Sequence, residues 1–555
     1  MNKLWAFLIV SALLSTTLAG VAAGAPPAPP AQEEEGEAGA PQPEALLFAP
    51  SSLCTTCHRN TPDDTGVDVS SFAMWSATLV ANSARDPYWQ ATVRAEGLRH
   101  PEYRDVIEDK CSACHMPMAH DNANYWGQLS EIYGANGLLD PAHPLHELAL
   151  DGNSCTLCHQ ILKQNFGRPD SFSGGYVIDH TLPIGRRPSF GPYDVEDGPA
   201  AIMRNASGYT PVYGPHMAES ELCITCHQLY TPYFNDEGQI VGEFPEQTLY
   251  YEWLYSGYRR TDTCIDCHFP VAQGGVVTSL TGGVPRSPFM MHYLVGGNTY
   301  MLRVFDAFRD ELGVVATPEQ IEETMGRVLD QLQNRTATLA LEASASGDVL
   351  TASVQIASLA GHKVPSAFPS RRAWLHVTVT DGAGRVIFES GGFDPESGAI
   401  DGNDNDADPA RYEPHYQTIT QPDEVQIYEP IMQSIDREVT TELLRATSYI
   451  KDNRLLPKGF DINLAVPEIS VRGAAADDPD FAPGGDTVTY EIALDGAGGP
   501  FTVSVELLYQ SISYRWAMNL IALEDEAEEI ARFARYYNAI PNTPTRVAGA
   551  QATVE

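Results

Sequence analysis

Ten cysteines and five histidines recur in this chain as one short phrase. It reads Cys54-Thr-Thr-Cys57-His58, Cys111-Ser-Ala-Cys114-His115, Cys155-Thr-Leu-Cys158-His159, Cys223-Ile-Thr-Cys226-His227 and Cys264-Ile-Asp-Cys267-His268. Each is a C-x-x-C-H, the attachment signature of c-type haem. Two thiols one helical turn apart add across the two vinyl groups of the porphyrin. The histidine beside the second thiol then falls under the iron as its proximal ligand. All 10 cysteines of the sequence lie in these motifs, so none is left for other work. A disulfide framework has no need of a histidine after every second cysteine. A thioredoxin-like site would occur once, beside a βαβ pattern, and zinc does not demand a histidine at the same place each time. The expected cofactors are therefore five haem c, with His58, His115, His159, His227 and His268 as proximal ligands.

Ten further histidines are the pool from which ligands for the opposite faces could come: His100, His120, His143, His146, His180, His216, His292, His362, His376 and His415. A haem that only passes electrons is best held six-coordinate, whereas one that does chemistry needs an open position. The distal candidates are His292, His362, His216, His146 and His120. His292 opens a His-Tyr-Leu-Val-Gly-Gly-Asn stretch whose glycines permit close backbone approach to a ring. His362 stands in a Gly-His-Lys-Val-Pro loop between predicted strands, and His216 precedes the fourth motif. His146 precedes the third motif, with His143 as its rival, and His120 is too near His115 to cap the same haem. His376 and His100 are expected to be packing or surface residues. Met74, Met116, Met118 and Met291 can serve as thioether ligands but are expected to pack against porphyrin. The run Asp401-Gly-Asn-Asp-Asn-Asp-Ala-Asp408 sets Asp401, Asn403 and Asp406 at spacings that suit calcium. It lacks the spaced final glutamate of an EF-hand, and a solvated acidic loop is the competing reading. Arg371-Arg372 could pair with haem propionates, or simply flank a strand.

At 555 residues the chain is too long for one ordinary domain. The fold class expected is multidomain α+β: an α-helical, loop-rich multihaem domain followed by an antiparallel β-sandwich domain. Residues 1–25 carry a basic residue, an apolar run and a small-residue cleavage site, and read as a signal peptide. Residues 26–47, rich in Pro, Ala and Glu, read as a disordered leader. The haem domain is expected over 48–335. It closes with a helix that opens on Thr317-Pro-Glu-Gln320, a capping box with Pro at the first helical position. From residue 336 to about 520 the apolar period shortens to two, in stretches beginning near Thr336, Leu350, Trp374, Arg385, Asp486 and Phe501. That alternation predicts a sandwich with a long insertion over 392–482, including a helix near Thr440–Lys451. Residues 521–555 are expected to be a C-terminal helix, Glu524 to Tyr537, and a frayed tail.

The net charge of −39 excludes a nucleic-acid partner, whose phosphates need basic residues. It suits instead a protein steered toward a basic redox partner. No stretch after the signal is apolar enough to span a membrane. The expected address is outside the cytoplasm, in the periplasm or at the cell surface, where haem c is attached.

The chain resembles the secreted multihaem cytochromes c of the cytochrome c-552/c-554 type. The resemblance rests on Met74-Trp-Ser-Ala-Thr78, Arg85-Asp-Pro-Tyr-Trp89, Cys114-His-Met-Pro-Met-Ala119, Asp151 to Ile161 and His292 to Asn298. In the second half it rests on Gly361 to Trp374, Glu413-Pro-His-Tyr416 and Lys451 to Pro457, which are similar to the β-domain of many such proteins. It implies one-electron transfer in extracytoplasmic, often respiratory, electron transport. The implied partners are other cytochromes or a quinol or terminal reductase complex. Two alternatives are a haem oxidoreductase acting on a small nitrogen or sulfur species, and a cell-surface or filament subunit. Ammonia-forming pentahaem nitrite reductases carry one C-x-x-C-K motif, and all five motifs here end in histidine. Relatives often place a ligand near Val80, and valine cannot bind iron, so an open haem is expected, if anywhere, at Cys54 and Cys57.

Overall fold

Each C-x-x-C-H motif lies at or runs out of the C-terminal end of a helix, which sets its two cysteines about one turn apart. The helices are Ser51–Thr55, Arg104–His115, Cys155–Cys158, Ser220–His227 and Cys264–His268. The last is closed at its start by a reciprocal capping box between Thr263 and Asp266. The structure is a computed structural model that describes residues 46–183, 185–404, 408 and 410–555. The expected signal peptide, nearly all of the leader, and Asp406 lie outside the described residues.

Between the motifs run loops, two small sheets and a few longer helices. Helix Pro87–Arg99 starts on Asp86, whose carboxylate accepts from the backbone N–H groups of Tyr88 and Trp89. Helix Pro318–Arg335 opens on the expected capping box and buries Ile321, Thr324, Val328 and Leu332. Strands Gln228–Phe234 and Ile240–Thr248 form an antiparallel hairpin.

The larger sheets begin at Ala337, where the apolar period changes. One sheet orders Ala337–Ser346, Val349–Ser358, Gly485–Ala493 and the short parallel strand Thr418–Ile419. The other orders Ile427–Tyr428, Arg372–Thr380, Phe501–Gln510 and Thr545–Val554, with Val386–Ser390 also on Arg372–Thr380. Val354 faces Val488 in the first sheet and Val379 faces Val503 in the second, all four fully buried. These residues belong to a single apolar core.

Two expectations fail here. The segment Thr440–Lys451 is not a helix: Ala446–Asp452 is a strand paired with Pro430–Ser434, which buries Tyr449, Lys451 and Asp452. The C-terminal helix, Glu528–Ala539, is present, but the tail beyond it is strand Thr545–Val554, laid antiparallel along Phe501–Gln510.

Candidate functional site

All five motifs line one interior void of about 1520 Å³, larger than the ~300–1,000 Å³ of an ordinary small-molecule pocket. Its walls come from both halves of the chain: Trp75, Trp89 and Phe190 from the first, Val364, Phe368 and Tyr509 from the second. The motifs also touch one another. The thiols of Cys54 and Cys155, Cys114 and Cys226, and Cys223 and Cys264 are close enough to hydrogen-bond in pairs. Cys158 lies near Cys226. The third motif therefore neighbours the first and fourth, and the fourth also neighbours the second and fifth.

The histidines of four motifs are oriented in the same manner. Nδ1 of His58 donates to the Thr278 carbonyl (2.8 Å), His115 to Ser83 (3.0 Å), His159 to Phe190 (2.5 Å) and His268 to Val295 (2.7 Å). A backbone carbonyl can only accept, so Nδ1 carries the proton and Nε2 keeps its lone pair for a metal. Burial pushes His115 and His268 down to about 4, which keeps the rings in the neutral form that binds metal. The Trp89 ring lies flat on His115, with centroids 4.3 Å apart and 3° between planes. Ser83 comes from the turn after Trp75, and Asn153 donates to the Cys114 carbonyl at 2.7 Å. That close packing explains Gly152: its φ is +60°, and a Cβ would stand 2.6 Å from the Ala81 oxygen.

Two of these rings face a second imidazole. His268 and His362 have centroids 6.5 Å apart with 15° between planes. His159 and His292 have centroids 6.4 Å apart with 25° between planes. Two rings holding one metal between them, with nitrogen–metal bonds of ~2 Å, have centroids ~6.3 Å apart. Direct ring contact would bring them closer. His362 donates its Nδ1 proton to the Lys363 carbonyl at 3.0 Å, leaving Nε2 free, and burial holds His292 down at about 4. The donor sets, ring spacing and void all fit haem c.

The other candidates are placed differently. His146 has the favourable pattern, with Nδ1 on the Leu138 carbonyl at 2.9 Å, whereas its rival His143 uses Nδ1 to accept from Leu145. His216 is buried and donates from Nε2 to the Ile161 carbonyl at 2.9 Å. His120 is held by Asn124 at Nε2 and by Ser112 and Asp109 at Nδ1. His146, His216 and His120 are not among the residues lining the void. His100, expected to be unremarkable, buries Nε2 without a hydrogen-bond partner.

Within the acidic run, Asp404 is turned inward. Asp404 takes Arg372 in a two-pronged pair (3.0 and 2.6 Å), which removes Arg372 from any role toward propionates; Arg371 lines the void. Asp401 is exposed and Asn403 buries Nδ2 without a partner. Among the described residues, His415, Asp478 and Asp486 form a buried cluster of metal-binding types. Its hydrogen bonds leave His415 no free lone pair for a metal. Gln426 and Asn453 are each anchored through their oxygens to backbone N–H groups, so their amide nitrogens donate to His415 Nδ1. The proton must then sit on Nε2, where it is given to Asp478 at 3.0 Å. The cluster is a polar buttress within the β half.

Several groups around the void carry no sequence signal. Glu96 is buried and accepts from the N–H groups of Leu443 and Leu444; burial pushes it up to about 7. Glu246, also on the void, is raised by burial too.

No protein-family model matches the chain, and no curated protein matches it. Among solved structures the chain is similar to a penta-heme cytochrome c552 from Thermochromatium tepidum. The two share 16% sequence identity and a TM-score of 0.50, over 92% of this chain and 100% of that one. At that identity the likeness shows a shared fold and nothing finer.

Proposed function

We propose that this chain is an exported pentahaem c-type cytochrome that transfers single electrons between redox partner proteins. The observation that carries the reading is the pair of opposed imidazoles, His268 with His362 and His159 with His292, each at the spacing of two rings on one metal. In this reading each motif holds one haem c through its two thiols and its histidine, with His362 the distal ligand over His268 and His292 over His159. His146 is the next distal candidate, by its Nδ1 bond. Haem c supplies one-electron Fe(III)/Fe(II) chemistry when bound. The chain's part is to fix the ligands so that nothing rearranges between the two states. Backbone carbonyls hold four proximal rings, burial keeps those of His115, His159 and His268 uncharged, and motif-to-motif contacts keep successive centres adjacent. The two large sheets form a sandwich whose His362 loop reaches into the haem half. The likeness to a penta-heme cytochrome supports the same role. Among the described residues no helix is long and apolar enough to cross a membrane. The acidic surface suits a basic partner.

The test is haem stoichiometry with resonance Raman of oxidised and reduced protein, with and without carbon monoxide. Five covalent haems, all low-spin and indifferent to carbon monoxide, are expected for a carrier. A high-spin haem that binds carbon monoxide in the native protein would instead favour an oxidoreductase with an open site, and the first motif, beside Val80, is where to map it.

A further inference from the structure

We infer that four buried charged side chains, Glu252, Lys363, Asp452 and Arg454, are positioning residues that hold His362 over His268; the inference rests on the reading of His362 as an iron ligand. The side chains of Lys363, Asp452, Arg454 and Glu252 are 0%, 1%, 4% and 0% exposed. Lys363 Nζ donates to Asp452 at 2.7 Å. Arg454 takes both oxygens of the same carboxylate, at 2.9 and 2.8 Å, and reaches Glu252 at 3.0 Å. Glu252 in turn accepts from the Lys363 backbone N–H at 3.1 Å and from the Thr248 hydroxyl at 3.0 Å.

The cluster joins three parts of the chain. Glu252 lies on helix Leu249–Leu254 of the haem half, and Asp452 and Arg454 lie at the end of strand Ala446–Asp452 in the β half. Lys363 stands beside His362, in the loop between. Val364 and Leu455 exchange backbone hydrogen bonds at 3.0 and 2.8 Å, fixing the loop from its other side. His362 Nδ1 is bonded to the carbonyl of Lys363 itself, so the ring's direction follows wherever Lys363 is held. Two cations and two anions balance, and removing one partner leaves the others buried and uncompensated. An apolar core would hold two halves together as well, but it would not fix a loop carbonyl to a single direction.

The test uses the full haem-loaded chain and reads spin state, carbon monoxide binding and midpoint potentials. His362→Ala is expected to turn one haem high-spin and open it to carbon monoxide. Lys363→Met and Asp452→Asn are expected to give the same signature at the same haem and to shift its potential, with the remaining haems unchanged. If His362→Ala acts but both cluster variants stay low-spin at native potentials, the positioning role is overturned and the ligand stands. If His362→Ala leaves every haem low-spin, the ligand reading fails first and takes the inference with it. If neither cluster variant accumulates with five haems, the cluster serves the fold rather than the ligand, and the inference falls.

Discussion

At His58, His115, His159 and His268 the Nδ1 nitrogen is committed to a backbone carbonyl. The same logic separates distal candidates that are equivalent in sequence. His292 faces His159 across a metal-sized gap, while His216 gives its Nε2 proton to Ile161. His292→Ala should therefore create one high-spin, carbon monoxide-binding haem, and His216→Ala should leave all axial ligation as it was. Magnetic circular dichroism of the two variants checks both, and a high-spin haem in the His216 variant would contradict the assignment. Glu96 carries a different consequence. Its folded value, about 7, lies above that of an unfolded glutamate, so its contribution to stability is full below pH ~4.5 and is lost as pH rises through 7. Glu96→Gln removes that loss. Relative to the native protein, the variant's unfolding free energy should gain by up to about 3 kcal/mol between pH 4.5 and pH 8, as read from denaturant unfolding at the two pH values. A difference independent of pH would mean that Glu96 is ionised throughout. The motifs were legible because the C-x-x-C-H signature consists of fixed residue types at fixed spacing. The carbonyls of Thr278, Ser83, Phe190 and Val295 were not, since a backbone acceptor has no residue identity.

At the scale of elements, strands with bulky alternation were readable and strands without it were not. Val349–Ser358 buries Leu350, Ala352, Val354 and Ile356 in turn, and its period is visible in the letters. The tail strand Thr545–Val554 buries only Val547, and its run of Ala and Gly gives no alternation. It is held by a backbone ladder to Phe501–Gln510. The misread Thr440–Lys451 segment has Leu443 and Leu444 at spacings a helix would accept. Its conformation is decided by partners distant in sequence, the strand Pro430–Ser434 and the carboxylate of Glu96. Deleting residues 544–555 should turn Phe501–Gln510 into an exposed edge. Its amides that now face the tail should lose at least about tenfold of their hydrogen-exchange protection, while the Ala337–Ser346, Val349–Ser358 ladder keeps most of its own. Unchanged protection in Phe501–Gln510 would show that the tail adds nothing to the sheet.

At the scale of the molecule, the sequence divides near residue 336 and the core does not. One apolar cluster contains Tyr88, Phe244, Tyr300 and Leu332 together with Leu350, Val488, Val503 and Phe533. Aromatic pairs cross the expected boundary: Tyr88 with Phe533 at 5.3 Å, Phe244 with Tyr449 at 5.0 Å, Phe308 with Tyr536 at 4.2 Å. The charge cluster around Lys363 crosses it as well, with Glu252 on one side and Asp452 and Arg454 on the other. A change of period marks where one kind of element gives way to another, and it carries no information about whether the two share a core. Residues 336–555 made alone would expose the faces that Tyr88, Phe244 and Phe308 now cover, and would leave Lys363, Asp452 and Arg454 without Glu252. That fragment is therefore expected to lack a sharp calorimetric transition and to bind hydrophobic dye, because its apolar faces have lost the partners that complete the core. A sharp transition from the fragment would make residue 336 a true folding boundary. The His362 loop would then belong to an independent module docked on the haems, and the coupling between the halves would reduce to the contacts around Glu252.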